Sequence, residues 1–197
     1  MIFDAAELRR RLARPAAAAS LYISDDRAER EQAAVTVAAV LVPIIARPEG
    51  FTVLFTRRTA QLKSHSGQIS FPGGRAEPGD PSLQHTALRE AQEEIGLPPA
   101  RVEVLGQMPE YNTRTGFRVT PVIGLIQPPL ELVPDAREVD EVFEVPLAFV
   151  LDPANHRRES RQIGARMATY YVIEHQGRTI WGATAGMLVN LSRHLAA

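Results

Sequence analysis

The 197 residues read as an α+β fold: a mixed central β-sheet flanked by helices. Two observations lead there. Strand-like runs dominate the chain, and the helical patterns fall between and after them. No repeat, low-complexity tract or linker divides the sequence, so residues 34–197 are expected to form one domain, preceded by a helix and arm at 1–33.

Taken in order, Asp4 can cap a short helix through Arg14, with Ala6, Leu8 and Leu12 near one face. An alanine-rich link and the polar stretch SDDRAEREQ follow, the latter a loop or short exposed turn. The apolar run AAVTVAAVLVPIIA is rich in Val and Ile and predicts a buried strand; it is too short to span a bilayer. Arg47–Gly50 turns it into a second strand, FTVLFTRR, and HSGQISFPGG supplies a further short strand and a glycine turn. The best helix runs from about Pro81 to Ile95, with Asp80 or Ser82 as cap and Pro98 and Pro99 as the stop. Strands are predicted in RVEVLGQM, RVTPVIGLI, EVDEVFEVPL and MATYYVIEHQGRTIWG, the last with a His-Gln-Gly turn and with Tyr170 and Trp181 in the core. A final amphipathic helix carries Met187, Leu188, Leu191 and Leu195.

Composition narrows function. A net charge of −1 argues against bulk electrostatic binding to nucleic acid or an acidic membrane. With no cysteine, disulfides, zinc-thiolate sites and thiol catalysis are excluded, which fits a cytoplasmic protein. The N-terminus lacks the basic-then-apolar order of a signal peptide. No Gly-x-Ser-x-Gly or phosphate-loop motif occurs, and the five histidines show no metal-ligand spacing.

The chemistry gathers in GQISFPGGRAEPGDPSLQHTALREAQEEIGL. Residues three and four apart share a helix face, so Glu90, Glu93 and Glu94 project together while Leu88, Ala91 and Ile95 face the sheet. A Glu- and Arg-rich helix is most often a solvated face, and Arg89 with Glu93 is an ordinary i,i+4 pair. Three clustered carboxylates repel one another, however, and a hard divalent cation, Mg²⁺ or Mn²⁺, relieves that. Gly73 and Gly74 just upstream let the backbone approach a bound group closely. Together they point to a metal held against a phosphate.

The segment resembles the Nudix box, Gly-x5-Glu-x7-Arg-Glu-apolar-x-Glu-Glu-x-Gly-apolar. Its second half matches at Arg89, Glu90, Ala91, Glu93, Glu94, Gly96 and Leu97. The first half differs: the sixth residue after Gly74 is Asp80, and eight residues rather than seven separate it from Arg89. Upstream, LFTRRTAQLKSHSGQISFPGG is similar to the element preceding the box in the coenzyme A diphosphatase branch. It matches at Thr56, Arg58, Gly67, Phe71, Pro72, Gly73 and Gly74, with Lys63 in place of an arginine.

The resemblance implies a Nudix-type α/β/α sandwich and metal-dependent hydrolysis of coenzyme A or its derivatives to 3′,5′-ADP and 4′-phosphopantetheine. It implies Glu90, Glu93 and Glu94 as metal ligands, Glu90 and Glu93 also acting in catalysis, and Arg89 orienting the glutamates. Arg58 and Lys63 would reach phosphates, with Gly73 and Gly74 flooring the site; His65, Tyr111 and Arg114 are further candidates. The base is left between Glu138 and Glu141, and strand alternation places Glu141 with Val139, Phe143 and Val145. Alternatives are ADP-ribose, a nucleotide sugar or a dinucleoside polyphosphate as substrate, or a non-catalytic nucleotide-binding regulator; a homodimer is also allowed.

Overall fold

The computed structural model describes residues 4–14, 22–25, 35–60, 67–163 and 166–197. Lys63 and His65 lie outside the described residues.

Helix α1 (Ala5–Leu12) is capped by Asp4, whose Oδ1 accepts from the Glu7 amide at 2.7 Å. Its Leu8 and Leu12 are buried, and Arg9 reaches Glu103. Strands β1 (Thr36–Arg47) and β2 (Gly50–Arg58) form the expected hairpin, closed by the Arg47–Gly50 pair. After them come β3 (Ile69–Ser70), β4 (Gly73–Arg75), α2 (Leu83–Ile95), β5 (Val102–Gln107), β6 (Tyr111–Asn112) and β7 (Phe117–Ile126). The chain ends with β8 (Val139–Pro146), α3 (Leu147–Leu151), β9 (Arg157–Ile163), β10 (Arg166–His175), β11 (Arg178–Trp181) and α4 (Ala183–Ala196).

The main sheet runs β3-β2-β1-β7-β5, with β4 on β1, β6 on β7 and β8 on β2. β1 and β7 are parallel over ten residue pairs and the other pairings are antiparallel, so the sheet is mixed. Both long strands are apolar on both faces because both faces are covered. On one face Leu41, Ile45, Leu54, Val122 and Ile126 pack with Ala87, Ala91 and Ile95 of α2. On the other, Val42, Ile44, Phe55, Ile123 and Phe143 pack with Leu8 of α1 and Leu188, Leu191 and Leu195 of α4. The second sheet, β11-β10-β9, closes that side. The fold is the α+β sandwich the sequence predicts.

Several elements differ from expectation. Gly73 and Gly74 make no turn; they pair as a strand with Val40 and Ala39 of β1. Helix α2 starts after Ser82, which accepts from the His85 amide, so Pro81 precedes the cap. It stops at Gly96, in the left-handed conformation at φ 68°, before either proline. Strand β9, RRESRQI, has no apolar alternation to reveal it. Helix α4 is buried almost all round, and its polar members have partners: Asn190 bonds both backbone groups of Ile23, Ser192 donates to the Leu151 carbonyl, and His194 meets Tyr22. Trp181 is 41% exposed and lies edge-on to the half-buried Tyr170, outside the core.

Candidate active site

Helix α2 turns Ala87, Ala91 and Ile95 into the sheet, and one flank of that apolar stripe carries Glu94, buried at 5% exposure. Its Oε2 accepts from the Gly73 amide at 3.2 Å, and Oε1 lies 3.6 Å from Arg58 Nη1. One turn earlier, Glu90 rests against Gly74 so closely that a Cβ there would stand 2.5 Å from its carboxylate. At Gly73 a Cβ would meet the Ala39 carbonyl oxygen, also at 2.5 Å, and the backbone sits at φ 156°. The two glycines therefore bring the edge of β4 directly onto the glutamate helix. Glu93 stands apart from the pair, its side chain 59% exposed.

Arg89 spends its whole donor set inside the protein. Nε and Nη2 hold Asp80 from two sides at 3.1 and 3.0 Å. Nη1 donates to Glu90 and Glu93, and Nη2 also to the Arg75 carbonyl. Such a guanidinium orients the glutamates and has no N–H left for a ligand. Asp80, only 5% exposed, also accepts from Thr86 and the Glu77 amide. The Arg89 guanidinium, with these other donors, holds the Asp80 carboxyl well below the usual carboxylate range. The sequence offers Asp80 only as a candidate helix cap, a place Ser82 takes instead. A reach of nine residues back from Arg89 becomes legible once the 76–82 turn is seen to fold onto the helix.

Glu138 and Glu141 separate. A β-bulge interrupts the pairing of β8 with β2, so that Arg57 faces Glu141 while Arg58 faces Val139. Val139 then packs on the α2 side, whereas Phe143 and Val145 pack on the α4 side. The simple alternation that grouped Val139 with Glu141, Phe143 and Val145 is thus broken at Asp140. Glu141 lies between Arg57 at 2.9 Å and Arg178 at 2.5 Å, in an ion cluster distinct from the α2 carboxylates. Glu138 sits just before the strand, its carbonyl accepting from the Thr59 amide at 3.0 Å.

Burial pushes the Glu94 carboxyl up to about 8, against Arg58 and the Gly73 amide, with the charges of Glu90 and Glu138 adding to the rise. Burial likewise raises Glu90, Arg89 opposing and Glu93 and Glu138 reinforcing. Glu90, Glu94 and Glu138 therefore feel one another, and Arg58 compensates only partly. Among the described residues no three carboxylates or imidazoles are already drawn around one point. The donors nonetheless suit a hard divalent cation: all are carboxylate oxygens, Glu94 buried and Glu90 half-buried, with Glu93 and Glu138 exposed beside them.

The profile described as NUDIX domain matches residues 35–167. The chain belongs to the Nudix family. The protein named uncharacterized Nudix hydrolase NudL in Photorhabdus laumondii is 42% identical over 158 residues, spanning 80% of this chain and 84% of that one. Its namesake in Pectobacterium atrosepticum is 43% identical over 164 residues, covering 81% and 82%. Among solved structures, a Nudix hydrolase of M. smegmatis, RenU, is 28% identical and covers 57% of this chain and 71% of its own, at a TM-score of 0.49.

Nudix hydrolases cleave pyrophosphate bonds in nucleoside diphosphate derivatives and generally use divalent metals such as Mg²⁺ or Mn²⁺. This chain is a hydrolase of that class. In it the Nudix helix is α2, and the extra residue before Arg89 is absorbed in the turn that carries Asp80. Arg114, at the turn after β6, is exposed, and its amide donates to Asp25, which also accepts from the buried Tyr111 hydroxyl. No helix among the described residues is long and apolar enough to cross a membrane.

Proposed function

We propose that this Nudix hydrolase cleaves coenzyme A or its acyl derivatives to 3′,5′-ADP and 4′-phosphopantetheine, with Mg²⁺ or Mn²⁺. The substrate rests chiefly on the element LFTRRTAQLKSHSGQISFPGG, similar to that of the coenzyme A diphosphatase branch. Its described ends converge on the glutamate helix, Arg58 and the Gly73 amide both addressing Glu94.

Glu90, Glu93 and Glu94 would hold the metal. When bound, the ion neutralises diphosphate oxygens and acidifies an attacking water. Arg89 and Asp80 fix the rotamers of Glu90 and Glu93. Glu138 is the better-placed base to take the water proton, since its charge is felt by Glu90 and Glu94 while Glu141 is held by two arginines. Arg58, freed from Glu94 when a cation takes over that carboxylate, would turn to a phosphate oxygen, joined by Lys63. At the glycine edge, the space that a Gly74 Cβ would fill is taken by the Glu90 carboxylate.

The test is parallel incubation, with Mg²⁺, of coenzyme A, ADP-ribose and a dinucleoside polyphosphate. The account expects 3′,5′-ADP and phosphopantetheine at the highest kcat/KM; faster cleavage of another diphosphate would discard coenzyme A and leave the hydrolase chemistry.

A further inference from the structure

Among the described residues, strand β4 pairs only with β1, so it forms an edge of the sheet. Its outward backbone groups are taken by side chains of α2. The Gly73 amide donates to Glu94, and the Arg75 carbonyl accepts from Arg89 Nη2 at 3.1 Å. Residues directly opposite in an antiparallel pair share a face. Gly74, opposite Ala39, therefore faces α2 and the Glu90 carboxylate, whereas Arg75, opposite Ala38, projects to the α4 side. Their Cα atoms are about 3.8 Å apart, as in any trans peptide. The glutamates and the Arg75 side chain thus lie on the two sides of one strand edge.

On that far side the Arg75 guanidinium stands over the half-buried Phe117 ring, 5.5 Å from its centroid. The ring holds the cation by its face and accepts none of its N–H bonds, which stay available to an anion. Arg75 is exposed, and among the described residues no carboxylate lies within ion-pair distance of it. Arg58 and Arg89, by contrast, are each engaged by carboxylates. Arg75 is therefore a cation with open donors, and the guanidinium that orients Glu90 and Glu93 also fixes its backbone. That arrangement suits a second anionic group on a ligand already held at the glutamates.

We propose that Arg75 is a specificity-determining residue that takes the 3′-phosphate of coenzyme A. The inference rests on the coenzyme A reading. In that reading Arg58 and Lys63 address the diphosphate, and only the ribose separates the diphosphate from the 3′-phosphate. A substrate lying across the β4 edge presents its diphosphate to the glutamates and its 3′-phosphate to Arg75, whose fork can grip two oxygens. ADP-ribose lacks a phosphate at that position, so the contact separates substrates that share one chemistry.

The test compares kcat/KM for coenzyme A, 3′-dephospho-coenzyme A and ADP-ribose in the wild type, Arg75→Ala and Arg75→Lys. Calorimetric binding of 3′,5′-ADP and 5′-AMP supplies a readout apart from turnover. Loss of a hydrogen bond to a charged group costs about a factor of ten or more, so Arg75→Ala should lower kcat/KM for coenzyme A about tenfold. The loss should appear in KM with kcat nearly unchanged, because the 3′-phosphate is held equally before and during reaction. On 3′-dephospho-coenzyme A the loss should stay below about twofold. Arg75→Lys, which keeps the charge without the fork, should fall between. The wild type should bind 3′,5′-ADP more tightly than 5′-AMP, and Arg75→Ala should lose that difference. If Arg75→Ala fails to fold, Arg75→Gln, which keeps the stem on Phe117, should show the same selective loss. Equal losses on both forms of coenzyme A, or no loss on either, would overturn the assignment of Arg75 and leave coenzyme A as substrate. A wild type that cleaves ADP-ribose faster than coenzyme A would instead overturn the substrate, and this inference with it.

Discussion

Gly73 and Gly74 are adjacent and chemically identical, yet substitution should affect them differently. At Gly74 the obstacle is the Glu90 carboxylate, the free end of a side chain that can swing away. Gly74→Ala should therefore melt near the wild-type temperature while activity falls steeply. At Gly73 the obstacles are the Ala39 carbonyl and Val40 backbone, which cannot yield cheaply. Gly73→Ala should lose about 2–4 kcal/mol of stability in denaturant unfolding, in the range of overpacking and backbone strain. A Gly74→Ala enzyme of full activity would show that Glu90 does not need the glycine edge. Asp80 offers a second contrast. Its carboxylate takes two guanidinium donors, and Asp80→Asn can accept only one of them well. Loss of a residue supporting a metal ligand costs about 10–100-fold in activity or metal affinity, and that is the expected fall in kcat for Asp80→Asn. The glutamates were picked out by their spacing on one helix, and Arg89 as their partner by the resemblance to the Nudix box. Asp80 was not, because its partnership depends on how a turn folds back.

The strands legible in the sequence are those whose residues alone demand burial. β1 and β7 carry Val and Ile on both faces and sit at the sheet centre. β9 is polar throughout and exists through its pairing with β10, a non-local fact that periodicity cannot encode. The bulge in β8 is hidden for the same reason, and it puts Val139 on the α2 side. Helix α4 shows amphipathic spacing, yet its polar face is covered by residues 22–25 and α3. One consequence is measurable. Burial lowers the His194 pKa below its ordinary 6.5, opposed by a backbone hydrogen bond at Arg11 and reinforced by Arg14. A folded-state pKa below the unfolded one gives stability that is full above about pH 6.5 and lost as the pH falls and the unfolded chain takes up the proton first. Glu94, raised to about 8, gives the opposite slope over this range, so the expected outcome is a difference: from pH 7.5 to 5.5 the melting temperature of the wild type should fall relative to that of His194→Gln. An identical slope in the variant would remove His194 from the acid sensitivity.

The molecule as a whole places its chemistry between layers. The α2 face of the sheet carries the carboxylates proposed to act in hydrolysis. The opposite face anchors α1, α4 and the second sheet. The Nudix assignment is carried by the domain profile and by relatives matched across most of both chains. In the proposed function, substrate choice would rest on the element from Leu54 to Gly74. The central claim is that the α2 glutamates carry a metal for diphosphate hydrolysis, and Glu93→Gln and Glu94→Gln test it most directly. Turnover of the best diphosphate with Mg²⁺ would be measured beside Mg²⁺ affinity and thermal melting. Both variants should lose about two or more powers of ten in kcat while remaining folded, as expected when groups acting on the transition state are removed. Near-wild-type turnover in both would contradict the account.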